Sequence, residues 1–196
     1  MSVSDQIRTA TWEDEPKIGA LMALAFASDP FVRWLLPDPL DYVRSSEKHA
    51  GLSSGRAFDN GSVYVIGDFV GASIWLPPNA KISRDHESGS ANQESAAAVP
   101  EEFAELIEKS AAYCPDEPHW YLSFIVVDPA KRGKGYGSML MKHTLEICDR
   151  DKLPAYLEST NAANLTLYRR YGFELLAEVR VGQSPARYPM LRPPQQ

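Results

Sequence analysis

Between Val126 and Leu140 the chain reads VVDPAKRGKGYGSML, and no other stretch restricts its fold so tightly. A β-branched run stops at Asp128-Pro129. The basic, glycine-rich turn Arg132-Gly133-Lys134-Gly135-Tyr136-Gly137 follows, and an apolar helical pattern begins at once after it. Strand, glycine turn and helix in direct succession point backbone N–H groups at an anion. Glycine lets the backbone come close, and the helix N-terminus favours negative charge. The chain therefore reads as a mixed α/β domain that holds a phosphate-bearing ligand at this turn.

The rest of the sequence sets the context. With 196 residues the chain is expected to form one domain, 1–196, with a substantial core. A net charge of −6 argues against a nucleic-acid partner, so the basic Lys131, Arg132 and Lys134 stand out as a local cluster. The acidic remainder would suit a cationic or amine substrate. The early apolar run Leu21 to Ala27 is too short to cross a bilayer and follows acidic residues, so no membrane association is expected. Two cysteines, Cys114 and Cys148, outside any CxxC, suggest a reducing compartment and a cytoplasmic protein. The four histidines lack metal-ligand spacing, and no metal is expected.

Hydrophobic periodicity predicts a strand at 6–12, a helix ending at Asp29-Pro30 and a more polar helix at 41–58. A hairpin follows, from runs 62–66 and 69–76 around Gly67-Asp68. Residues 79–99 are polar and small and read as a loop or mobile insertion. A helix at 101–112 precedes the most strand-like run, His119 to Val127. Beyond the glycine turn come a helix to Arg150, a strand at 154–159, a short helix ended by Gly172, and a closing hairpin from 173–181 and 187–191.

Two phosphate signatures fail to match the turn well. A P-loop needs Gly-Lys-Ser/Thr, which is absent, and the dinucleotide fingerprint would need its third glycine one residue after Gly137. A bland glycine-rich connection does not account for glycines, cations and a helix start falling together. The spacing Arg132-x-x-Gly135-x-Gly137 instead resembles Arg/Gln-x-x-Gly-x-Gly/Ala, the pyrophosphate signature of the GNAT acetyltransferase superfamily. Upstream, Leu122-x-x-Ile125-x-Val127-x-Pro129 is similar to that family's cofactor-contacting strand. Downstream, Asn161 followed by Leu167-Tyr168 and Gly172-Phe173 is similar to its N-x-x-A-x-x-L-Y-x-x-x-G-F segment, with Asn164 where alanine is usual. Within the superfamily, the segments 118–122, 154–160 and Trp75-Leu76-Pro77-Pro78 most resemble puromycin N-acetyltransferase-like proteins, which does not imply puromycin as substrate.

The resemblance implies a single GNAT-type α/β domain. Its mixed, mostly antiparallel central sheet is splayed between the fourth and fifth strands and flanked by helices, with 119–173 as the acetyl-CoA-binding core. It implies acetyl transfer from acetyl-CoA to a primary amine of a small molecule within a ternary complex, by a monomer or homodimer. A protein or peptide acceptor, or a non-catalytic acyl-CoA-binding module, are the alternatives. Ile125, Val126 and Val127 are expected along the pantetheine. Arg132, Gly133, Lys134, Gly135, Tyr136 and Gly137 are expected around the pyrophosphate, and Asn161 and Tyr168 near the reacting end.

Tyr168 matches the family's general acid, against the plainer reading of a core tyrosine. Asn161 suits both a helix cap and a cofactor contact. The general base stays open between Glu158, His119 and a water relay. His suits proton transfer near neutrality, while Glu158 reads equally well as half of an ion pair. Phe26, Phe31, Trp34 and Trp75 border the acceptor region or fill the core.

Overall fold

The computed structural model describes residues 6–78 and 100–195, with backbone alone for 46–55. The expected insertion at 79–99 lies outside the described residues. Three Asp-Pro pairs punctuate the chain in the same way. Asp29, Asp38 and Asp128 each accept backbone N–H groups of the turn they precede, and the proline occupies the first helical position, where no N–H is needed. Thus Asp29-Pro30, expected to end one helix, also starts the next.

Strand β1 (Ile7–Thr9) leads through a short turn into α1 (Glu15–Phe26), α2 (Pro30–Leu35) and α3 (Pro39–Asp59). β2 (Val63–Ile66) and β3 (Gly71–Leu76) form the expected antiparallel hairpin. Helix α4 (Glu102–Ala111) precedes β4 (Trp120–Val127). Then come α5 (Tyr136–Arg150), β5 (Ala155–Ser159), α6 (Leu165–Arg170), β6 (Glu174–Leu175) and β7 (Tyr188–Arg192). The strands form one seven-stranded sheet in the order β1-β2-β3-β4-β5-β7-β6. β4 and β5 are the parallel pair, and the other pairings are antiparallel. This is a single α/β domain with a mixed sheet and flanking helices.

Each face of the sheet carries its own core. Leu140, Met141, Leu145 and Cys148 of α5, with Leu165 and Tyr168 of α6, cover Trp75, Trp120, Leu122 and Leu157. Ile18, Leu21 and Met22 of α1, with Ala57 and Phe58 of α3, cover Val63, Val65, Ala72, Ile74 and Val126 on the other face. A third cluster joins Phe31 of α2 and Phe103 and Leu106 of α4 to Val179 and Val181.

That third cluster explains one departure from expectation, in the closing hairpin. The chain after Phe173 pairs with β7 for two residues only. It then leaves the sheet, keeps a single bridge from Val179 to Arg187, and lays Val179 and Val181 over α2 and α4. Burying two branched side chains there compensates for the lost ladder.

Candidate active site

The site is built where the sheet parts. β4 and β5 pair only at Trp120–Ala155, Tyr121–Tyr156 and Leu122–Leu157. Past Leu122 the two strands separate, so the β5-facing backbone groups of residues 123–127 have no strand opposite them. Polar backbone groups left unpaired in this way call for a partner. At the same point β4 carries a bulge: Ile74 faces Phe124 while Trp75 faces Leu122, and Ser123 is the extra residue. A bulge bends its strand and reverses which side chains face which layer. Trp120 and Leu122 accordingly pack under α5, whereas Phe124 and Val126 turn to the α1 layer, and Ile125 returns to the α5 side.

β4 runs directly into the glycine turn. Asp128 ties the turn's start, its N–H donating to the Val70 carbonyl and its Oδ1 accepting from Ala130. Gly133 and Gly135 both hold left-handed backbone, at φ +78° and +86°, and no atom lies within 4 Å of where a Cβ would sit on either. The turn is thus open where a side chain would project, and the left-handed backbone would strain any residue but glycine. Gly135 caps α5, a 15-residue helix whose first N–H groups, at Tyr136, Gly137 and Ser138, have no intrahelical acceptor. Arg132 and Lys134 are exposed beside it. The Arg132 guanidinium donates to the Ala25 carbonyl at the end of α1, 3.0 Å away. Donors, cations and open space together fit a pyrophosphate.

Tyr168, on α6, packs into the core on the α5 side of the sheet. Its residue is 5% exposed, its ring meets Phe173 edge-on, and burial followed by the charge of Asp29 pushes its phenol well above the usual tyrosine range. Tyr171 donates its hydroxyl to the Ser138 carbonyl at 3.0 Å, which fixes α6 against the start of α5. Asn161 caps the turn before α6, its Oδ1 accepting from the Ala163 N–H at 3.0 Å.

The two candidates for a base are placed differently. Glu158 lies beyond the last β4–β5 pair, with its side chain 9% exposed. Oε2 accepts from Arg187 at 3.0 Å, and Oε1 accepts from the Ser110 hydroxyl. His119 sits at the closed end of the pairing, just before Trp120. Its Nδ1 faces the Glu117 carbonyl at 2.8 Å and its Nε2 faces the Cys114 sulfur at 3.5 Å. Trp75 is wholly buried in the core, whereas Phe26 and Trp34 are half-buried. Among the described residues, no group of His, Cys, Asp or Glu is arranged to hold a metal ion, and no helix is long and apolar enough to cross a membrane.

Two residues at the mouth went unnoticed in the sequence. Thr160, the residue after β5, donates its hydroxyl to Oδ2 of Asp29 at 2.9 Å. The α1–α2 corner is therefore fastened to one lip of the parting through Arg132 and to the other through Thr160.

Comparison with known proteins points to one family. A family model described as the acetyltransferase (GNAT) family matches residues 89–173, the span holding the parted strand, the glycine turn and Tyr168. Residues 89–173 thus match the GNAT superfamily. An uncharacterised N-acetyltransferase of Schizosaccharomyces pombe is 28% identical over 150 residues, 69% of this chain and 61% of the relative, so the chain spans about three-fifths of that relative's length. The crystal structure of a histone acetyltransferase HPA2 and related acetyltransferase from Corynebacterium glutamicum superposes with a TM-score of 0.72. It is 26% identical, with 99% of this chain and 98% of that one covered. Drosophila melanogaster polyamine N-acetyltransferase, which forms N-acetylagmatine, shares the fold at a TM-score of 0.65 and 13% identity, covering 96% of this chain and 99% of its own. GNAT enzymes use acetyl-CoA as co-substrate, and the open turn at the head of α5, inside the matched span, suits its pyrophosphate.

Proposed function

We propose that the chain transfers the acetyl group of acetyl-CoA directly to a primary amine of a small molecule, both substrates being bound at once. One observation carries this reading. The parted strand β4 runs straight into a helix-capping glycine turn, and the helix that carries the buried, protonated Tyr168 is tied to the head of α5 through Tyr171. Bound acetyl-CoA would supply the activated acyl group.

Backbone N–H groups from Gly133 to Gly137, with Arg132 and Lys134, would hold the pyrophosphate, and Ile125 to Val127 would offer ladder groups to the pantetheine arm. Asn161 stands at the rim, where its cap leaves the amide nitrogen for a cofactor contact. Tyr168 keeps its phenolic proton because of its burial, as a donor to a departing thiolate must. The attacking amine must be neutral. Both oxygens of Glu158 are engaged, and His119 faces Cys114 at the closed end. These placements favour loss of the amine proton through water, with Glu158 as the nearer of the two side chains to the parting.

The polyamine acetyltransferase relative supports a small amine, and the histone acetyltransferase relative keeps a peptide acceptor in play. The test is thiol release from acetyl-CoA with a panel of alkylamines, arylamines, polyamines and lysine peptides. Release driven by small amines is expected. Release only with peptides would replace the acceptor class, and CoA binding without release for any amine would leave an acyl-CoA-binding module.

A further inference from the structure

We infer that Asp29 recognises the acceptor: its buried carboxylate at the α1–α2 corner receives the ammonium of a primary alkylamine at the mouth between β4 and β5. The inference rests on the acetyltransferase reading and names the charge that the acceptor must bring.

Asp29 differs from the two other Asp-Pro caps of the chain. Asp38 is exposed and Asp128 half-buried, whereas Asp29 is 6% exposed. Capping uses one of its oxygens: Oδ1 accepts from the N–H groups of Phe31 at 3.0 Å and Val32 at 3.1 Å. Oδ2 is turned to the β5 lip and takes the Thr160 hydroxyl, from 131 positions away in the chain. Neutral donors therefore orient the carboxylate, and among the described residues no Lys, Arg or His forms an ion pair with it. A carboxylate this far from water usually has a cation beside it, because desolvation penalises the bare charge. The nearby buried carboxylate Glu158 obeys that rule through Arg187. Asp29 does not, and it lies close enough to Tyr168 for its charge to act on the phenol.

The surroundings suit an ammonium on an apolar body. Asp29 is flanked in sequence by Phe26, which meets Phe124 edge-on at 5.7 Å, and by Phe31, which meets Trp34 at 5.8 Å and carries the Arg187 guanidinium over its ring at 5.3 Å. Aromatic faces add attraction for a cation. Arg132 fastens the same corner through Ala25, so the carboxylate stands on a segment anchored to the donor turn.

Asp29→Asn is the discriminating variant: its Oδ1 caps the helix as well as Asp does, its Nδ2 donates to the Thr160 hydroxyl in place of accepting from it, and the charge is lost. Wild type and variant are titrated calorimetrically, with CoA present, with butylamine, phenethylamine and putrescine. Thiol release is then compared for phenethylamine and for aniline, which is neutral at the assay pH. The variant is expected to weaken alkylamine binding roughly tenfold or more, mostly in KM. The loss for phenethylamine should exceed that for aniline by about the same factor. Thr160→Val should fall between the two proteins.

Equal losses for aniline and phenethylamine would reduce Asp29 to a helix cap, as would unchanged alkylamine binding, or no alkylamine binding by wild type. Alkylamine binding that depends on Asp29 without any thiol release would uphold the recognition and overturn the transferase reading. Turnover of aniline alone would do the reverse.

Discussion

A tyrosine can serve as a proton donor only while its phenol is intact. Tyr168 meets that condition through burial first and the Asp29 charge second, both acting against the phenolate. Tyr168→Phe keeps the ring against Phe173 and removes only the hydroxyl. We expect kcat to fall about 10²–10⁴-fold with CoA affinity unchanged, measured by thiol release and calorimetry. The alkaline limb of kcat in the wild type should lie above the ordinary tyrosine value of about 10, and Asp29→Asn should move it toward lower pH. The residues whose neighbours are local were legible in the chain. Tyr168 was placed by its spacing from Gly172-Phe173, and Asn161 by the short helix it caps. Asp29 was not, because the bond that sets it apart comes from Thr160, and no local pattern records a contact 131 residues long.

The strand, turn and helix from Trp120 to Arg150 act as one element, and their glycines separate steric need from ligand need. Gly135 holds φ +86°, so Gly135→Ala imposes left-handed backbone on a side chain, at a cost of about 1–2 kcal/mol. Gly137 is different. A Cβ there would meet Leu167 and Val127 at 3.8 Å, ordinary contact distances. Gly137→Ala should therefore leave urea stability unchanged or slightly raised, given the better helix propensity of alanine. Both variants should weaken CoA binding, read by calorimetry. Intact CoA affinity in Gly137→Ala would show that the cofactor keeps its distance from this position.

Helix and strand bounds in this region were plain in the sequence because apolar periodicity and glycine punctuation agree, and α5 falls at 136–150 as expected. The closing hairpin was less legible. Ala177 to Val181 has strand-like composition, but its branched side chains are taken by the α2–α4 cluster, and that competition is tertiary.

At the scale of the whole molecule, the parting leaves the sheet joined across β4 and β5 by three residue pairs only. Other ties must hold β7 to the helical layer. Arg192, on β7 with its side chain 3% exposed, forms a two-pronged pair with Asp149 of α5 at 2.7 and 2.8 Å. Arg192 also donates to the Tyr171 carbonyl, and Asp149 accepts the Gln195 N–H. Hydrogen bonds from Arg192 lead in lowering the Asp149 pKa below the ordinary 3.8, while Arg8 holds Asp14 at about 2. A carboxylate with a lowered folded value binds its proton more readily in the unfolded chain. Its contribution is complete above the unfolded value and is lost as pH falls through the folded one. Stability should thus be level at neutral pH and decline as pH drops below about 4 toward about 2. Asp149→Asn strands a buried guanidinium and should lower urea stability near pH 7 by about 2–4 kcal/mol. It should also flatten the acid decline, since the variant has no proton to take up at that position. A variant with wild-type stability at pH 7 and an unchanged acid limb would assign the anchoring of β7 to the sheet ladder alone.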